Sequence, residues 1–294
     1  MRGLGEIFKT YTAKELIQVI DRKFGLGSIE RFFASNWFNP FYTLYLNLRS
    51  FPLSQAVRFP IFVYGFPHFY CLSGRMFIDG KVVAGMIKFN RTIPGAPSNM
   101  AVSSEINNQG VIIFKGKGLI GTGNKIFVAF KGRLEIGENF KITDWCNIGC
   151  FTFIKIGAQS RITHRCQLLD SNYHYVADFE KGVVPYHSHS IRIGNGCWIC
   201  NSSTISGGSI LPDFTIVASN SLVNKDYSIL PADSMIGGIP AKLIRTGLRK
   251  IENSVIEKRI MNYYRLHLDG IYEIPSQDVL LYIHLSIILN NRIL

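Results

Sequence analysis

The sequence predicts an all-β core, a parallel β-helix of hexapeptide repeats, with helical N- and C-terminal extensions. Three observations carry this. Aliphatic residues recur at every sixth position from Ile193 through Ile199, Ile205, Leu211 and Val217 to Val223. A small residue stands four positions after each of the first five, at Cys197, Ser203, Ser209, Thr215 and Ser221. The same phase runs back through Ile136, Ile142, Ile148, Ile156, Ile162 and Leu168, with small residues at Cys146, Thr152, Ser160 and Cys166 and with Phe140 as the exception.

A helix needs apolar spacings of three and four, and a simple strand a spacing of two, so neither fits a period of six. Hexapeptide periodicity instead marks a coil whose turns stack to bury a continuous core. Six residues form one flat side, the aliphatic fills the interior and the small residue sits at the corner. Two extra residues lie between Ile148 and Ile156, and the repeat stops for the 24 residues 169–192 before resuming at Ile193. Such a break reads as a loop extruded from one coil, and loops on a rigid scaffold are where binding and catalytic groups concentrate.

Taken in order, residues 1–50 form a helical extension. Thr12 and Glu15 make a capping box ahead of Leu16, Val19 and Ile20, and Gly25 and Gly27 end that helix. An aromatic-rich segment follows from Ser28 to Leu48, interrupted by a turn at Asn39-Pro40. Residues 51–245 form the β-helix domain. Strands are predicted at Pro60–Tyr64, Met76–Asp79 and Met86–Phe89, starting the coil irregularly, then at Val111–Ile113, Leu119 and Ile126–Val128. Gly237-Gly238-Ile239-Pro240 ends it. Residues 246–294 are a tail in which Ile256, Ile260, Tyr263 and Leu266 follow helical spacing, predicting a helix that caps the open coil end. A last apolar segment spans Val279 to Leu289.

With 294 residues and 47% hydrophobic content, the chain can bury a sizeable core. Met1 to Thr10 holds no apolar stretch of signal-peptide length, and no run reaches the roughly 18 apolar residues of a membrane span, so a cytoplasmic location is expected. For the apolar windows Phe59–Leu72 and Val279–Leu289, burial against the coil is favoured over peripheral membrane contact. Cys146, Cys166 and Cys197 occupy the corner position, which reads them as buried reduced thiols rather than disulfides or metal ligands; no metal is expected. The net charge of +12 comes without a nucleic-acid module or aromatic interleaving, so a polyanionic small ligand or an acidic glycan fits better than nucleic acid.

The run Ile193-Gly194-Asn195-Gly196-Cys197-Trp198-Ile199, the stretch Val217–Asp226 and the ending Gly237–Arg245 resemble the left-handed β-helix O-acetyltransferases of the hexapeptide-repeat family, above all those acting on sugars and on capsule or O-antigen polysaccharides. The resemblance implies a homotrimer with acetyl-CoA in the groove between neighbouring prisms. It implies His174 as general base, at the end of Leu169-Asp170-Ser171-Asn172-Tyr173-His174, with Asp170 orienting its ring. The backbone N–H of Asn201, three residues after Trp198, is the implied oxyanion donor, although Cys200 stands where the family has glycine. Ser219, Asn224, Lys225, Lys242 and Arg245 match the positions that contact the coenzyme. Trp198, Asn147 and Tyr173 are candidates for holding the acceptor, while His164 reads as a surface or interface residue and His187 and His189 as solvated. No activated Ser or Cys is visible, so direct transfer in a ternary complex is expected. The competing readings are an N-acetyltransferase of an amino-sugar nucleotide, a zinc hydratase on the same fold, whose histidine spacings are not met here, and a β-helix scaffold without turnover.

Overall fold

The computed structural model describes residues 37–93 and 102–276. The predicted helix around Thr12–Ile20 and the apolar segment Val279–Leu289 lie outside these residues.

Successive strands run along three faces in turn, and each face is a parallel sheet apart from the last strand of the first. Among the described residues the first face has nine strands, from Ile61–Val63 to Lys242–Arg245; the second has seven, from His68–Leu72 to Leu222–Val223; the third has six, from Arg75–Ile78 to Ile210–Leu211. The repeat aliphatics stack in register. Val63, Phe89, Ile120, Ile142, Ile162, Ile199, Val217 and Ile236 form one column inside the first face. Ile106, Ile126, Ile148, Leu168, Ile205 and Val223 line the second. Ile78, Phe114, Ile136, Ile156, Ile193 and Leu211 line the third. All of these side chains are buried, and they form one continuous core.

The corners explain the small residues. Asn139, Trp145, Gln159, Arg165, Ser202, Phe214 and Asn220, each three positions after its aliphatic, hold φ between 53° and 64°. A left-handed residue lets the backbone turn sharply into the next face. At several corners the residue after it points inward and donates to a carbonyl of the following coil: Cys146 Sγ to Thr163 O at 3.1 Å, Cys166 Sγ to Cys200 O at 3.1 Å, Ser203 Oγ to Ala218 O at 2.9 Å. Thiol and hydroxyl do the same work here, so Cys and Ser interchange along the repeat. Burial pushes the thiols up, Cys150 and Cys197 to about 12 and Cys166 to about 11.

Asn39-Pro40 proves to be a helix start rather than an interruption. Asn39 caps helix α1 (Pro40–Ser50), its Oδ1 accepting from Tyr42 N at 3.0 Å, and Pro40 fills the first turn, where no N–H is needed. A short helix α2 (Leu53–Ala56) follows. The coil does start irregularly: Ile61–Val63 pairs in register with Ile87–Phe89, but His68–Leu72, a strand the sequence pattern did not reveal, shifts register between Phe69 and Cys71 against Glu105–Asn108.

The C-terminal end differs from expectation. Strand Lys242–Arg245 turns back antiparallel onto Met235–Gly237 and finishes the first face. Residues 248–252 then run down the side of the prism. Leu248 N donates to Asp233 O at 2.9 Å, Arg249 stacks on Phe214 at 3.6 Å and pairs with Asp233, and Glu252 bonds Arg161 at 2.7 Å. Helix α3 (Ser254–Leu266), capped by Asn253, leaves this strap with Ile256 as its buried contact. Ion pairs along a side strand, rather than apolar contacts at the end, therefore hold the tail.

Candidate active site

Two irregularities of the coil meet at the corner between the second and third faces. The two-residue insertion after Ile148 leaves the consecutive N–H groups of Phe151, Thr152 and Phe153 outside the sheet ladder. One coil above, Asp170 turns its carboxylate onto them: Oδ1 takes Phe151 N at 2.7 Å, and Oδ2 takes Thr152 N at 2.8 Å and Phe153 N at 3.0 Å. Asp170 is fully buried. Its carboxylate is thus held by the chain beneath it, and it fastens the root of the extruded loop.

That loop leaves after strand Gln167–Leu169 and returns at Ile191–Ile193. It is a hairpin-like excursion. His189 N donates to Asp170 O at 2.8 Å, Ser171 bridges to Ser188, Asn172 N bonds His187 O at 3.3 Å, and Asp178 and Val183 pair near the tip. Tyr173, in the left-handed region at φ 63°, folds back over the outer surface of the second face. Its ring meets Phe151 edge-on with centroids 4.8 Å apart, and its hydroxyl lies 2.7 Å from where a Cβ on Gly149 would stand. Burial and the Asp170 charge push the Tyr173 hydroxyl above the usual range. Asn147, two residues before Gly149 on the same strand, faces the same side, so the structure brings Tyr173 and Asn147 onto one surface. His174 follows in sequence, solvent-exposed, and makes no hydrogen bond among the described residues.

His187, read from sequence as solvated, is held. Its Nδ1 lies 2.6 Å from Ser171 Oγ and 2.9 Å from Ser188 Oγ, and its ring packs against Phe151, Tyr175 and Tyr186. No spacing in the sequence signals this, because the contacts join the two arms of the hairpin.

The remaining candidates sit elsewhere on the prism. Trp198 lies on the first face between Arg161 and Ile216, with Lys250 Nζ 6.0 Å from its ring. Asn201 occupies the corner between the first and second faces, its carbonyl accepting Asn220 N at 3.0 Å, while its own N–H makes no hydrogen bond among the described residues. Cys200 keeps the ladder bond to Val217 O at 2.9 Å, so cysteine in the glycine position leaves the local backbone regular. His164 stands one coil below that corner; its carbonyl takes Ser202 N at 2.8 Å, and its Nδ1 is buried without a partner among the described residues. Ser219 is exposed one coil above Asn201. Lys242 and Arg245, opposite Gly237 and Met235, are exposed at the C-terminal end of the first face. Asn224 and Lys225 are exposed just past the second-face strand Leu222–Val223, and Lys225 lies over the Tyr227 ring at 5.3 Å. None of the three cations makes an ion pair among the described residues, which suits groups meant for phosphate oxygens. The loop candidates and the Trp198–Asn201–Ser219 group thus occupy different corners of one prism.

Three faces of in-register hexapeptides define a hexapeptide-repeat β-helix. No protein-family profile matches the chain. It is 30% identical over 173 residues to an uncharacterised 24.8 kDa protein of the Klebsiella pneumoniae cps region, covering 55% of this chain and 73% of that protein. It is 24% identical over 148 residues to WbbJ of Escherichia coli (strain K12), a protein named for lipopolysaccharide biosynthesis O-acetyl transfer, covering 48% of this chain and 74% of the relative. A Vibrio cholerae O1 biovar eltor hexapeptide-repeat acetyltransferase, solved with acetyl-CoA, is 25% identical with a TM-score of 0.33, over 38% of this chain and 60% of that one. The chain belongs to the hexapeptide-repeat acetyltransferase family.

Proposed function

We propose that the chain moves an acetyl group from acetyl-CoA to a hydroxyl of a sugar or surface polysaccharide, by direct transfer with His174 as general base. The observation that carries this is the placement of His174. The long break in the regular part of the repeat exposes an imidazole with no internal partner beside a surface bearing Tyr173 and Asn147. A nitrogen of His174 takes the acceptor hydroxyl proton as the oxygen attacks the thioester carbonyl; the C–S bond breaks and the sulfur leaves with that proton. The N–H of Asn201 is the donor for the charge developing on the carbonyl oxygen, where one preorganised donor is worth about 3 kcal/mol. Lys225, Lys242 and Arg245, with Ser219 and Asn224, hold the phosphorylated co-substrate. Because the loop and the Asn201 corner are separate on one prism, the site is completed by a neighbouring copy in a homotrimer.

The names of the relatives, one for lipopolysaccharide biosynthesis and one for a cps region, favour a polysaccharide acceptor. The charge of +12 favours an acidic one. A cytoplasmic location suits both co-substrates. Incubation of the purified protein with acetyl-CoA and a panel of acidic and neutral glycans tests the reading. Thiol release with an alkali-labile acetyl product supports it; an alkali-stable product makes the enzyme an N-acetyltransferase, and no release with any acceptor removes the assignment.

A second reading concerns the base alone. His187 has the fixed ring that His174 lacks: with Nδ1–H donated to Ser171 Oγ, its Nε2 lone pair is free to accept a proton. Single replacement of each histidine by alanine separates the two.

A further inference from the structure

Helix α1 carries polar residues on its inner face and apolar ones on its outer face. Thr43, Leu46, Asn47 and Ser50 are buried, and Thr43 and Asn47 bond the outer edge of the end strand Ile61–Val63. Asn47 Nδ2 donates to Ile61 O at 2.7 Å and Asn47 Oδ1 accepts from Ile61 N at 3.1 Å, while Thr43 Oγ1 accepts from Val63 N at 3.0 Å. An unpaired strand edge demands polar partners, and Thr43 and Asn47 take up part of the inner face to supply them, leaving Leu46 as the fully buried apolar residue of the helix. Other apolar residues of α1 face outward: Phe41 is 76% exposed, with Leu44, Tyr45 and Leu48 about half exposed beside it. The surface continues onto α2, where Leu53 is 71% exposed, and Tyr45 meets Phe69 of strand His68–Leu72 with centroids 6.2 Å apart.

Among the described residues the charge on this surface is positive. Residues 37–78 contain Arg49, Arg58, Arg75 and His68 and no Asp or Glu. The acids nearest in register are already matched: Glu105, opposite His68, pairs with Lys125 at 3.5 Å, and Asp79 with Lys115 at 3.9 Å. Exposed aliphatics, interfacial aromatics and uncompensated arginines are what an anionic bilayer surface attracts. Among the described residues no helix is long and apolar enough to cross a membrane. We propose that the α1–α2 end of the prism docks on the surface of an anionic lipid bilayer, seating Phe41, Leu44 and Leu48 at the level of the acyl boundary with Arg49 and Arg58 among the headgroups. Docking through this end leaves the extruded loop, several coils further along the prism, facing the solution.

Sedimentation of the full chain with sucrose-loaded vesicles tests this. The protein is expected to pellet with vesicles containing phosphatidylglycerol and to stay in solution with pure phosphatidylcholine. The triple replacement Phe41→Ser, Leu44→Ser and Leu48→Ser should lower partitioning roughly tenfold or more. Arg49→Gln and Arg58→Gln should each lower it about fivefold and flatten its salt dependence. Far-UV circular dichroism of the variants, unchanged, excludes misfolding as the cause. Retention in the supernatant with phosphatidylglycerol vesicles, or undiminished pelleting of a folded triple variant, overturns the proposal. So does a wild-type oligomer that the triple variant dissociates, since the face would then cover a second copy.

Discussion

The Asp170 carboxylate accepts the Phe151 N–H at 2.7 Å across the gap between two coils, and takes the next two amides as well. The two departures from the sixfold period, the short insertion and the long loop, are one structural unit joined by this residue. Asp170→Ala strands three amides at a buried corner, so unfolding should cost about 3–5 kcal/mol less. Denaturant melts measure this, and an effect below about 1 kcal/mol would show that water replaces the carboxylate freely.

Asn47 makes a comparable seal at the other end of the prism, with bonds to Thr43 O, Ile61 O and Ile61 N. Asn47→Leu offers an apolar residue of similar size and no partner for the strand edge. It should destabilise the protein by about 2–4 kcal/mol and promote aggregation through the freed edge. Light scattering during thermal unfolding reports both.

Thiol reactivity should sort the cysteines by position. Burial pushes Cys150, Cys166, Cys197 and Cys200 up to about 11 or 12 and holds Cys146 higher still. The Ser73 hydroxyl, with Sγ and Oγ 3.2 Å apart, draws Cys71 below the usual range, helped by Arg49. A disulfide reagent should therefore modify Cys71 first in the native protein, and Cys71→Ser should remove the fast phase. Persistence of that phase in the variant would place the reactive thiol at a corner.

His164 predicts a direction with pH. Burial, then the Arg165 charge, holds its imidazole below the usual histidine range. The unfolded chain takes up a proton near pH 6.5 that the folded one resists, so stability falls as pH drops below about 6.5 and is level above it. His164→Gln should lose less stability than wild type over that window. Parallel stability curves would assign the slope to other groups.

Much of the fold was legible because the corners repeat. A left-handed residue, then a small side chain reaching the next coil, then an interior aliphatic is a local rule, and it recurs from Ile136 to Val223. It was harder to see before Ile136, where Val63, Phe89, Ile120 and Ile142 stack in one column but stand at unequal intervals in the chain. Helix α1 misleads for a physical reason: its polar residues face inward because a strand edge needs them. The candidate site was legible as a loop bearing His174, since loops interrupt the period. The duties of Asp170 and His187 were not, because their partners are main-chain amides of another coil and hydroxyls across a hairpin.

In the proposed mechanism the imidazole of His174 takes the acceptor proton. Steady-state thiol release by His174→Ala, on a Cys71→Ser background to silence the protein's own fast thiol, tests it most directly. The expected result is a kcat lower by about 10²–10⁴-fold with the thermal midpoint unchanged and with His187→Ala much nearer to wild type. A folded His174→Ala enzyme turning over at the wild-type rate would contradict it.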